Sequence, residues 1–223
     1  MKRNPFSGML PSKLSKEQIP AVYAARVQGY DNWGKRTEAK AQDLCLELAA
    51  IQDGEYVLEV AVGTGLLFER VVRGNGNGRT LGVDLTSAML AEARAKVAAI
   101  GSNRALLQQA DAYALPFAAN QFDVLLNNYM LDILPEADFP HVLGEFGRVL
   151  RPGGRAVLVS MTLPQYWHQG LWEFVYQLGP TTMAGCRGVA LAAPLQAAGF
   201  RLEKQLFVSQ MTFPSEIVLG VKP

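Results

Sequence analysis

The chain has 223 residues, of which 49% are hydrophobic and 18% charged, and its formal net charge is +1. The length fits one large domain, and the composition excludes a chain that is disordered throughout. The balance of charge excludes a global field that would recruit nucleic acid. Residues 1–40 carry eight Lys and Arg against three Asp and Glu. That excess is too diffuse for a nucleic-acid arm, and a solvated N-terminal face explains it.

The cysteines and the apolar runs indicate the cellular compartment in which the protein is expected. Cys45 and Cys186 are far apart in the sequence and have no partner spacing, so neither a disulfide framework nor a zinc cluster is indicated. Residues 1–14 contain charges but no apolar signal-peptide core, and no apolar stretch is long enough to span a bilayer. We therefore expect a soluble cytoplasmic protein with no metal, no stable membrane insertion and no nucleic-acid partner.

Short β-rich runs alternate with longer stretches of helical periodicity from residue 56 onward. In chain order we predict a strand at 56–60, a helix at 65–73, a strand at 80–83, a helix at 86–100, strands at 105–109 and 122–126, a helix at 141–150, a strand at 156–160, a helix at 191–198, and strands at 201–209 and 216–221. Thr86 is the predicted N-cap of the second helix and Gly101 its C-cap.

This alternation predicts right-handed βαβ units, with a parallel sheet covered by helices on both faces. The last two strands have no helix between them, so we expect them to pair as a hairpin that adds an antiparallel strand. The predicted fold class is therefore α/β, a three-layer sandwich that forms one domain over 1–223.

Two segments lie outside the alternation. Residues 15–50 have helical periodicity, so 1–50 is predicted to form an N-terminal helical cap. Residues 161–188 form an inserted segment whose aromatic residues are Tyr166, Trp167, Trp172, Phe174 and Tyr176. Ligands of open α/β sheets bind beyond the carboxyl ends of the strands, so both segments are candidate lids. Core packing or a homodimer contact would use the aromatic residues equally well.

A glycine turn follows the first predicted strand. Gly63 and Gly65 would let the backbone approach a ligand closely, and the following helix N-terminus adds unpaired N–H groups. The third glycine of a dinucleotide fingerprint is missing, because Phe68 takes its place. No Gly-Lys-Ser/Thr follows, which excludes a P-loop. A plain tight connection explains the turn equally well when it is taken alone.

An acidic residue stands at or near the end of each of the first three predicted strands. Glu59, four positions before the first glycine, suits a cationic or donor-rich ligand and would repel a pyrophosphate. Asp84 lies where Rossmann-like sheets place a carboxylate that accepts from two ribose hydroxyls. A helix cap is its alternative role, which Thr86 fills better. Asp111 could accept from the exocyclic amine of adenine or serve as a turn residue.

With these acids in place, the chain resembles the class I S-adenosylmethionine-dependent methyltransferases, and is similar within them to the branch of the ubiquinone and menaquinone C-methyltransferases. The stretches that carry the resemblance cover residues 56–160 in the expected order. They are 57–65 (VLEVAVGTG), 82–90 (GVDLTSAML), 110–117 (ADAYALPF) with 122–124 (FDV), and 145–154 (EFGRVLRPGG). Together they are specific for the cofactor fold and say little about the methyl acceptor.

The resemblance implies a seven-stranded sheet of order 3-2-1-4-5-7-6 with strand 7 antiparallel. It also implies S-adenosyl-L-methionine as cofactor, with S-adenosyl-L-homocysteine as product. The residues it assigns to the cofactor are Tyr30, Glu59, Ala61, Gly63, Thr64, Gly65, Asp84, Leu85, Met89, Asp111, Ala112 and Asn127. Quinone C-methyltransferases usually have an Arg-Asn pair after the fourth strand, whereas this chain has Asn127-Asn128-Tyr129. The departure puts a quinone precursor in doubt as acceptor.

Candidate groups for the acceptor side come from three places. A general base is needed only if the acceptor still carries its proton. His168, in the aromatic segment, is a candidate base or orienting group, or else a histidine on the surface of a lid. Asp132 and Tyr129 follow the fourth strand, where the family's substrate-facing residues lie; Asp132 could deprotonate an acceptor or cap a short helix. His141 follows Pro140 at a helix start and is expected at the surface.

The function predicted from the sequence is methyl transfer to a small, apolar or aromatic molecule. Two other classes stay open. One is a methyltransferase that acts on protein or nucleic acid, which only the basic N-terminal segment supports. The other is a non-catalytic cofactor-binding partner or a nucleotide-linked oxidoreductase. Phe68 argues against the oxidoreductase, and the three retained acids argue against a decayed site.

Overall fold

The computed structural model describes residues 8–179, 181 and 183–223. The helices in chain order are α1 (Ile19–Ala24), α2 (Val27–Thr37), α3 (Ala39–Ala49), α4 (Leu66–Gly74), α5 (Ser87–Ile100), α6 (Phe139–Val149), α7 (Gly170–Leu178) and α8 (Ala192–Ala197). The strands are β1 (Tyr56–Val60), β2 (Arg79–Asp84), β3 (Ala105–Gln109), β4 (Phe122–Asn128), β5 (Leu150–Met161), β6 (Arg201–Gln210) and β7 (Phe213–Val221). Short 3₁₀ turns lie at Leu131–Ile133, Glu136–Asp138 and Trp167–Gln169.

The strands form one sheet of order β3-β2-β1-β4-β5-β7-β6. The neighbours from β3 to β5 pair in parallel, and β7 runs antiparallel to both β5 and β6. The predicted order, the parallel core and the terminal hairpin are therefore confirmed. The parallel arrangement brings the carboxyl ends of β1, β2, β3 and β4 to one edge, which is where ligands bind in open α/β sheets.

Helices cover both faces of the sheet, and the side chains of each central strand alternate between the two cores. On one face, Leu58 and Val60 of β1 belong to the core that contains α6 and α8. On the other face, Val57 of the same strand belongs to the core that contains α3 and α4. Burial on both faces explains why the β1 sequence is nearly continuously apolar.

The helix caps only partly follow the prediction. Gly101 closes α5 in the left-handed region at φ +72°, as its position predicted. Thr86 occupies the N-cap position, but its side chain makes no cap hydrogen bond. Its backbone N–H donates instead to Asp84 Oδ1 at 2.8 Å. Thr86 therefore occupies the predicted N-cap position without a side-chain cap bond, and Asp84 accepts from the backbone of that N-cap residue rather than from the helix itself.

The strand β5 is longer than predicted. It starts at Leu150, and its first residues include the Arg-Pro-Gly-Gly run at 151–154, which lies between the predicted helix at 141–150 and the predicted strand at 156–160. This part pairs irregularly, since the register with β4 shifts between Phe122 and Val124 and Gly153 has φ +78°. A bulge of this kind lets a strand continue through a proline and a left-handed glycine.

The segments outside the alternation meet at the carboxyl edge of the sheet. Residues 8–16, here called the N-terminal strap, cross this edge before α1. The buried guanidinium of Arg187 donates to the carbonyls of Leu10, Asp132 and Leu134 at 2.6 to 2.7 Å. The hydroxyl of Tyr176, on α7, donates to the carbonyl of Pro11. One arginine therefore joins the strap, the turn after β4 and the loop after α7.

The aromatic residues of 161–188 do not form one surface. Tyr176 is buried, and Trp172 packs edge-to-face on Trp33 and Phe213. Tyr166, Trp167 and Phe174 are exposed to solvent. Over the described residues, no helix has the length and apolar character that crossing a bilayer requires.

Candidate functional site

The two glycines of the loop after β1 meet different surroundings. Gly63, at φ +54°, donates its N–H to Asp84 Oδ2 at 2.8 Å and lines a pocket. Gly65, at φ +84°, lies against α5, where an added Cβ would come within 2.9 Å of the Cβ of Ala93. Gly65 therefore serves the packing of α4 on α5. Ala61 also takes up a left-handed conformation, at φ +61°, which is uncommon for a residue with a Cβ.

Phe68 stands where a dinucleotide fingerprint has its third glycine, and its side chain is fully buried. The small residue that allows α4 to pack closely on the sheet is Gly82 of β2, because a Cβ there would lie 2.7 Å from Cε2 of Phe68. At this contact the glycine is therefore on the strand and the large side chain is on the helix. The site is consequently not built for the close helix–strand contact of a nicotinamide-dinucleotide fingerprint.

The first pocket, here called the strand-end pocket, has a volume of about 80 Å³ at the carboxyl ends of β1 to β4. Its floor includes the predicted residues Ala61, Gly63, Asp84, Leu85, Asp111, Ala112 and Tyr129. Its cover comes from the N-terminal segment, through Lys16, Tyr23 and Tyr30. The sheet edge and the N-terminal helices therefore enclose it together.

Asp84 and Asp111 differ in their surroundings. Asp84 is buried, and burial raises the pKa of its carboxyl group, while the N–H groups of Thr86 and Gly63 work against that rise. Asp111 pairs with Lys16 at 2.5 Å, and both side chains are about one-third exposed. The Lys16 ammonium also lies 4.0 Å from the centre of the Tyr113 ring. Lys16 was not predicted, since a lysine in a basic N-terminal segment carries no local signal.

The second pocket, here called the loop pocket, lies around the loop after β1 and has a volume of about 40 Å³. Glu59, Thr64 and Asn128 line it. Glu59 Oε2 and Asn128 Oδ1 are buried, and neither has a hydrogen-bond partner among the described residues. Burial, with the nearby Asp84 carboxylate, raises the pKa of Glu59 well above its usual value. Two acceptors without donors predict a ligand that brings donors of its own.

Some predicted cofactor residues lie behind the pockets. Met89 is fully buried in the core. Asn127 donates its amide to the carbonyl of Val60 at 2.9 Å and does not line any of the pockets described here, although its Oδ1 has no partner among the described residues. The next residue, Asn128, faces both pockets instead. Successive strand residues point to opposite faces, so only one of the two asparagines can face the ligand side.

A third and larger space, here called the helix cavity, lies between α1, α2 and the loop after α7. Its volume is about 290 Å³. Its main walls are Tyr23, Tyr30, Trp33, Glu38, Met183 and Cys186. Tyr30 lines all three spaces, and Glu38 lines both the helix cavity and the loop pocket. These two residues therefore lie where the spaces adjoin.

The predicted catalytic residues do not lie together. The phenol of Tyr129, which has φ +51°, is paired with the hydroxyl of Ser215 at 2.8 Å, while its other atoms line the strand-end and loop pockets. Asp132 is fully buried behind these pockets, where its Oδ2 accepts from the N–H of Met161. His168 stacks on Tyr166 and lies outside the three spaces as the described residues define them.

Buried acids gather near the helix cavity. Burial and the neighbouring Asp132 carboxylate together raise the pKa of Glu38 to about 8, against a hydrogen bond with the side chain of Trp33 that lowers it. Burial likewise raises the pKa of Asp132 to about 7, against the N–H of Met161 and the charge of Arg187. Glu38 was missed by the sequence analysis because a single glutamate between two helices gives no motif. The clustering depends on residues about 90 positions apart.

Comparison with known proteins agrees with this architecture. Residues 57–154 match a family described as a methyltransferase domain. The demethylmenaquinone methyltransferase of Lactococcus lactis is 30% identical over 163 residues, which are 70% of this chain and 64% of that protein. The demethylmenaquinone methyltransferase of Thermus thermophilus is 35% identical over 143 residues, 64% of this chain and 60% of that protein.

The fold is shared with a SAM-dependent methyltransferase from Aquifex aeolicus, with a TM-score of 0.68 at 17% identity over 90% of this chain and 98% of that one. The chain is therefore similar in sequence and in fold to S-adenosylmethionine-dependent methyltransferases, and the family match covers residues 57–154. The chain spans less than two thirds of the length of the two curated relatives.

S-adenosylmethionine is the cofactor of the methyltransferases that the chain resembles, and the chemistry of the pockets fits it. Its ammonium group would supply the donors that Glu59 Oε2 and Asn128 Oδ1 lack. Asp84, at the end of β2, has the acceptor chemistry that a ribose diol requires. Among the described residues, no three His, Cys, Asp or Glu side chains are grouped so as to hold a metal ion.

Proposed function

We propose that the protein transfers the methyl group of S-adenosylmethionine to a small, apolar or aromatic molecule. The observation that carries the proposal is the pair of unpartnered buried oxygens, Glu59 Oε2 and Asn128 Oδ1, in a pocket that adjoins an aromatic-walled cavity. The first feature calls for a ligand that brings donors. The second offers room for an apolar acceptor beside it.

We assign the adenosine part of the cofactor to the strand-end pocket. Asp84 would accept from the ribose hydroxyls, with Leu85 beside the ring, and Asp111 with Ala112 would contact the adenine edge. The amino acid part belongs to the loop pocket, with Glu59, Thr64 and Asn128. Ala61 and Gly63 line both pockets, and Tyr30 covers them. Gly65, Met89 and Asn127 would support these groups from behind.

The chemistry that S-adenosylmethionine supplies when bound is an activated methyl group on a sulfonium. The chain's residues need only bind, orient and exclude water, and such positioning supplies up to roughly 7–11 kcal/mol in the best intramolecular cases. Tyr30 lines all three spaces, so its side chain would exclude water from the junction at which the two pockets and the helix cavity meet. The Tyr129 ring would form part of the wall and Asp132 would hold β5 in position. A catalytic role for His168 stays a prediction.

Two features support a small acceptor. The helix cavity, at about 290 Å³, is near the lower end of the roughly 300–1,000 Å³ that ligand pockets occupy. The curated relatives are named for a quinone precursor, which is a small molecule. The Asn127-Asn128-Tyr129 run differs from the Arg-Asn pair of the quinone enzymes, so we keep the acceptor class broader than quinones.

Methyl-labelled S-adenosylmethionine, incubated with the protein and a fractionated cell extract, tests the proposal. We expect label in the organic-extractable fraction, where the mass shift then identifies the product. Label confined to protein or nucleic acid would overturn the small-molecule acceptor. Absence of cofactor binding by calorimetry would overturn the whole proposal.

The cofactor site is tested by Asp84→Asn, which removes the charge that faces the ribose hydroxyls. We expect S-adenosylhomocysteine to bind about 10- to 100-fold more weakly, as for a lost charge-assisted hydrogen bond. Asp123→Asn is the matched control, because Asp123 also accepts a backbone N–H, from Tyr56, but at the opposite edge of the sheet. Equal affinities for the two variants would argue against the assignment of Asp84.

A further inference from the structure

Among the described residues that line the helix cavity, Glu38 alone carries an acidic group, and it also faces the loop pocket. Glu38 is the single residue between α2 and α3, and it is 6% exposed. Of the cavity residues that the structure describes, only Tyr30 and Glu38 also line the loop pocket. A proton acceptor at this junction is within the space where an acceptor molecule and the cofactor's amino acid end would meet.

The rest of the wall is suited to a flat, largely apolar ring. Tyr23 and Tyr30 lie with their ring centres 6.1 Å apart, and Trp33, Met183 and Cys186 complete the surface. Aromatic and sulfur-containing side chains pack well on aromatic ligands. The volume of about 290 Å³ has room for one or two fused rings rather than a peptide or a nucleic acid segment.

The charges around Glu38 favour an uncharged acceptor with an acidic proton. The titratable groups that act on it or on which it acts are Asp132, Tyr30, Tyr129 and Cys186. Asp132 and Glu38 each raise the pKa of Cys186 by more than Arg26, which also lines the cavity, lowers it. The carboxyl groups therefore outweigh the arginine, so an anionic acceptor would be repelled, whereas an uncharged molecule with a hydroxyl group would not.

We infer that the helix cavity is the acceptor site and that Glu38 takes the hydroxyl proton of a hydroxylated aromatic acceptor. This inference rests on the proposed methyltransferase function and deepens it. The O–H bond breaks and its proton goes to the Glu38 carboxylate. The acceptor oxygen forms the new bond to the methyl carbon, and the methyl–sulfur bond breaks with its electron pair left on sulfur.

The test uses two phenols of different acidity. 2-Naphthol is almost entirely protonated near neutral pH and needs a base, whereas 4-nitrophenol is much more acidic and needs little help. In Glu38→Gln we expect methylation of 2-naphthol to fall about 10²- to 10⁴-fold, the range of general-base catalysis. Methylation of 4-nitrophenol should fall less than about tenfold. Equal losses for both probes would mean a structural role and would overturn the inference.

A spectroscopic readout is independent of turnover. Absorbance of 4-nitrophenol bound without cofactor reports its ionisation. At a pH above about 8, where the Glu38 carboxyl group has lost its proton, we expect more of the neutral form on the native protein than on Glu38→Gln, since the carboxylate opposes a second negative charge in the cavity. The same spectrum for the two proteins would contradict a direct contact between Glu38 and the hydroxyl group.

Glu173→Gln is the matched control. Glu173 is another buried glutamate, it lies on α7 outside the three spaces, and burial raises its pKa to about 7. We expect this variant to keep the phenol selectivity and the pH profile of the native protein. In the native protein the rate with 2-naphthol should rise with pH through about 8, as the carboxylate of Glu38 forms, and Glu38→Gln should lose that limb.

Binding of S-adenosylhomocysteine distinguishes a failure of the proposed methyltransferase function from a failure of the inferred acceptor class. A protein that does not bind it refutes the proposed function itself. A protein that binds it but methylates neither phenol, or methylates 2-naphthylamine in preference to 2-naphthol, refutes only the acceptor class inferred here. Unchanged cofactor affinity in Glu38→Gln, with the loss confined to 2-naphthol, supports the inference.

Discussion

Gly63 and Gly65 lie two residues apart in one loop, and both have a positive φ, but their environments differ. The N–H of Gly63 donates to Asp84, and an added Cβ would meet nothing closer than Tyr30 Cε1 at 3.8 Å. At Gly65 an added Cβ would meet Ala93 Cβ at 2.9 Å and its Cα at 3.0 Å. The first glycine therefore shapes the ligand side of the loop, and the second allows two helices to pack.

Gly65→Ala tests this division. The left-handed backbone alone costs a residue with a Cβ roughly 1–2 kcal/mol, and overpacking against Ala93 adds about 1–3 kcal/mol. Gly101→Ala is the control, since Gly101 has φ +72° and open space around its Cβ position. Urea denaturation should show a larger loss for Gly65→Ala. Equal losses would mean that the backbone conformation accounts for the whole effect.

At the scale of elements, the strap depends on Arg187 more than on its own sequence. The guanidinium satisfies the carbonyls of Leu10, Asp132 and Leu134, which lie in two separate segments. Tyr176 fixes the strap a second time, because it accepts from the N–H of Lys13 and donates to the carbonyl of Pro11. The strap then places Lys16 against Asp111 at the strand-end pocket.

Arg187→Met should release the strap and destabilise the protein by about 2–6 kcal/mol, because the carbonyls of Leu10 and Leu134 lose their donor at about 1–3 kcal/mol each, whereas that of Asp132 keeps the backbone N–H of residue 187. Hydrogen exchange at the amide of Lys13 should accelerate. Arg155→Met is the control, since Arg155 donates to the carbonyls of Ala49 and Ala50, away from the strap. Slow exchange at Lys13 in Arg187→Met would contradict the role given to Arg187.

At the scale of the whole molecule, buried acids set the pH dependence of the cofactor-free protein. Burial raises the pKa of Glu38 to about 8 and those of Asp132 and Glu173 to about 7. Between pH 5.5 and 7.5 the folded protein therefore holds protons that the unfolded chain has lost. Stability from a raised pKa is present at low pH and is lost as the pH rises through the folded value.

We therefore expect the free energy of unfolding to fall between pH 5.5 and 7.5, with each acid contributing at most about 1.4 kcal/mol per pH unit. Carboxyl groups with lowered pKa values, such as Asp31 and Glu145, do not oppose this, because their contribution is lost only at lower pH. Urea midpoints across the range provide the measurement. Glu38→Gln should make the decline shallower, and a stability that rises with pH would refute the account.

Much of the cofactor side could be predicted because it follows from local pattern. Strand–helix alternation places the carboxyl ends of β1 to β4 at one edge, so the acids that follow those strands were expected to meet there. Asp84 and Asp111 do line one pocket. Their detailed partners were not predicted: the backbone N–H of Thr86 donates to Asp84, and Lys16 pairs with Asp111.

The acceptor side could not be predicted in the same way. His168 has the more recognisable chemistry, but its ring stacks on Tyr166 at the surface, whereas Glu38 lies in the cavity wall. The aromatic residues of 161–188 separate into buried and exposed members, because α7 turns only one face toward the protein. The sequence has no marker of which face that is.

The sequence by itself determined the α/β class, the strand order through its motifs, and the family that the chain resembles. Those features depend on periodicity and spacing within stretches of 10 to 40 residues, which the backbone geometry translates directly. Only the tertiary structure decided that Asn128 rather than Asn127 faces the pockets, that Glu38 lies near Asp132, and that Arg187 holds the strap. Such contacts join segments about 90 to 180 positions apart, and packing rather than local propensity selects them.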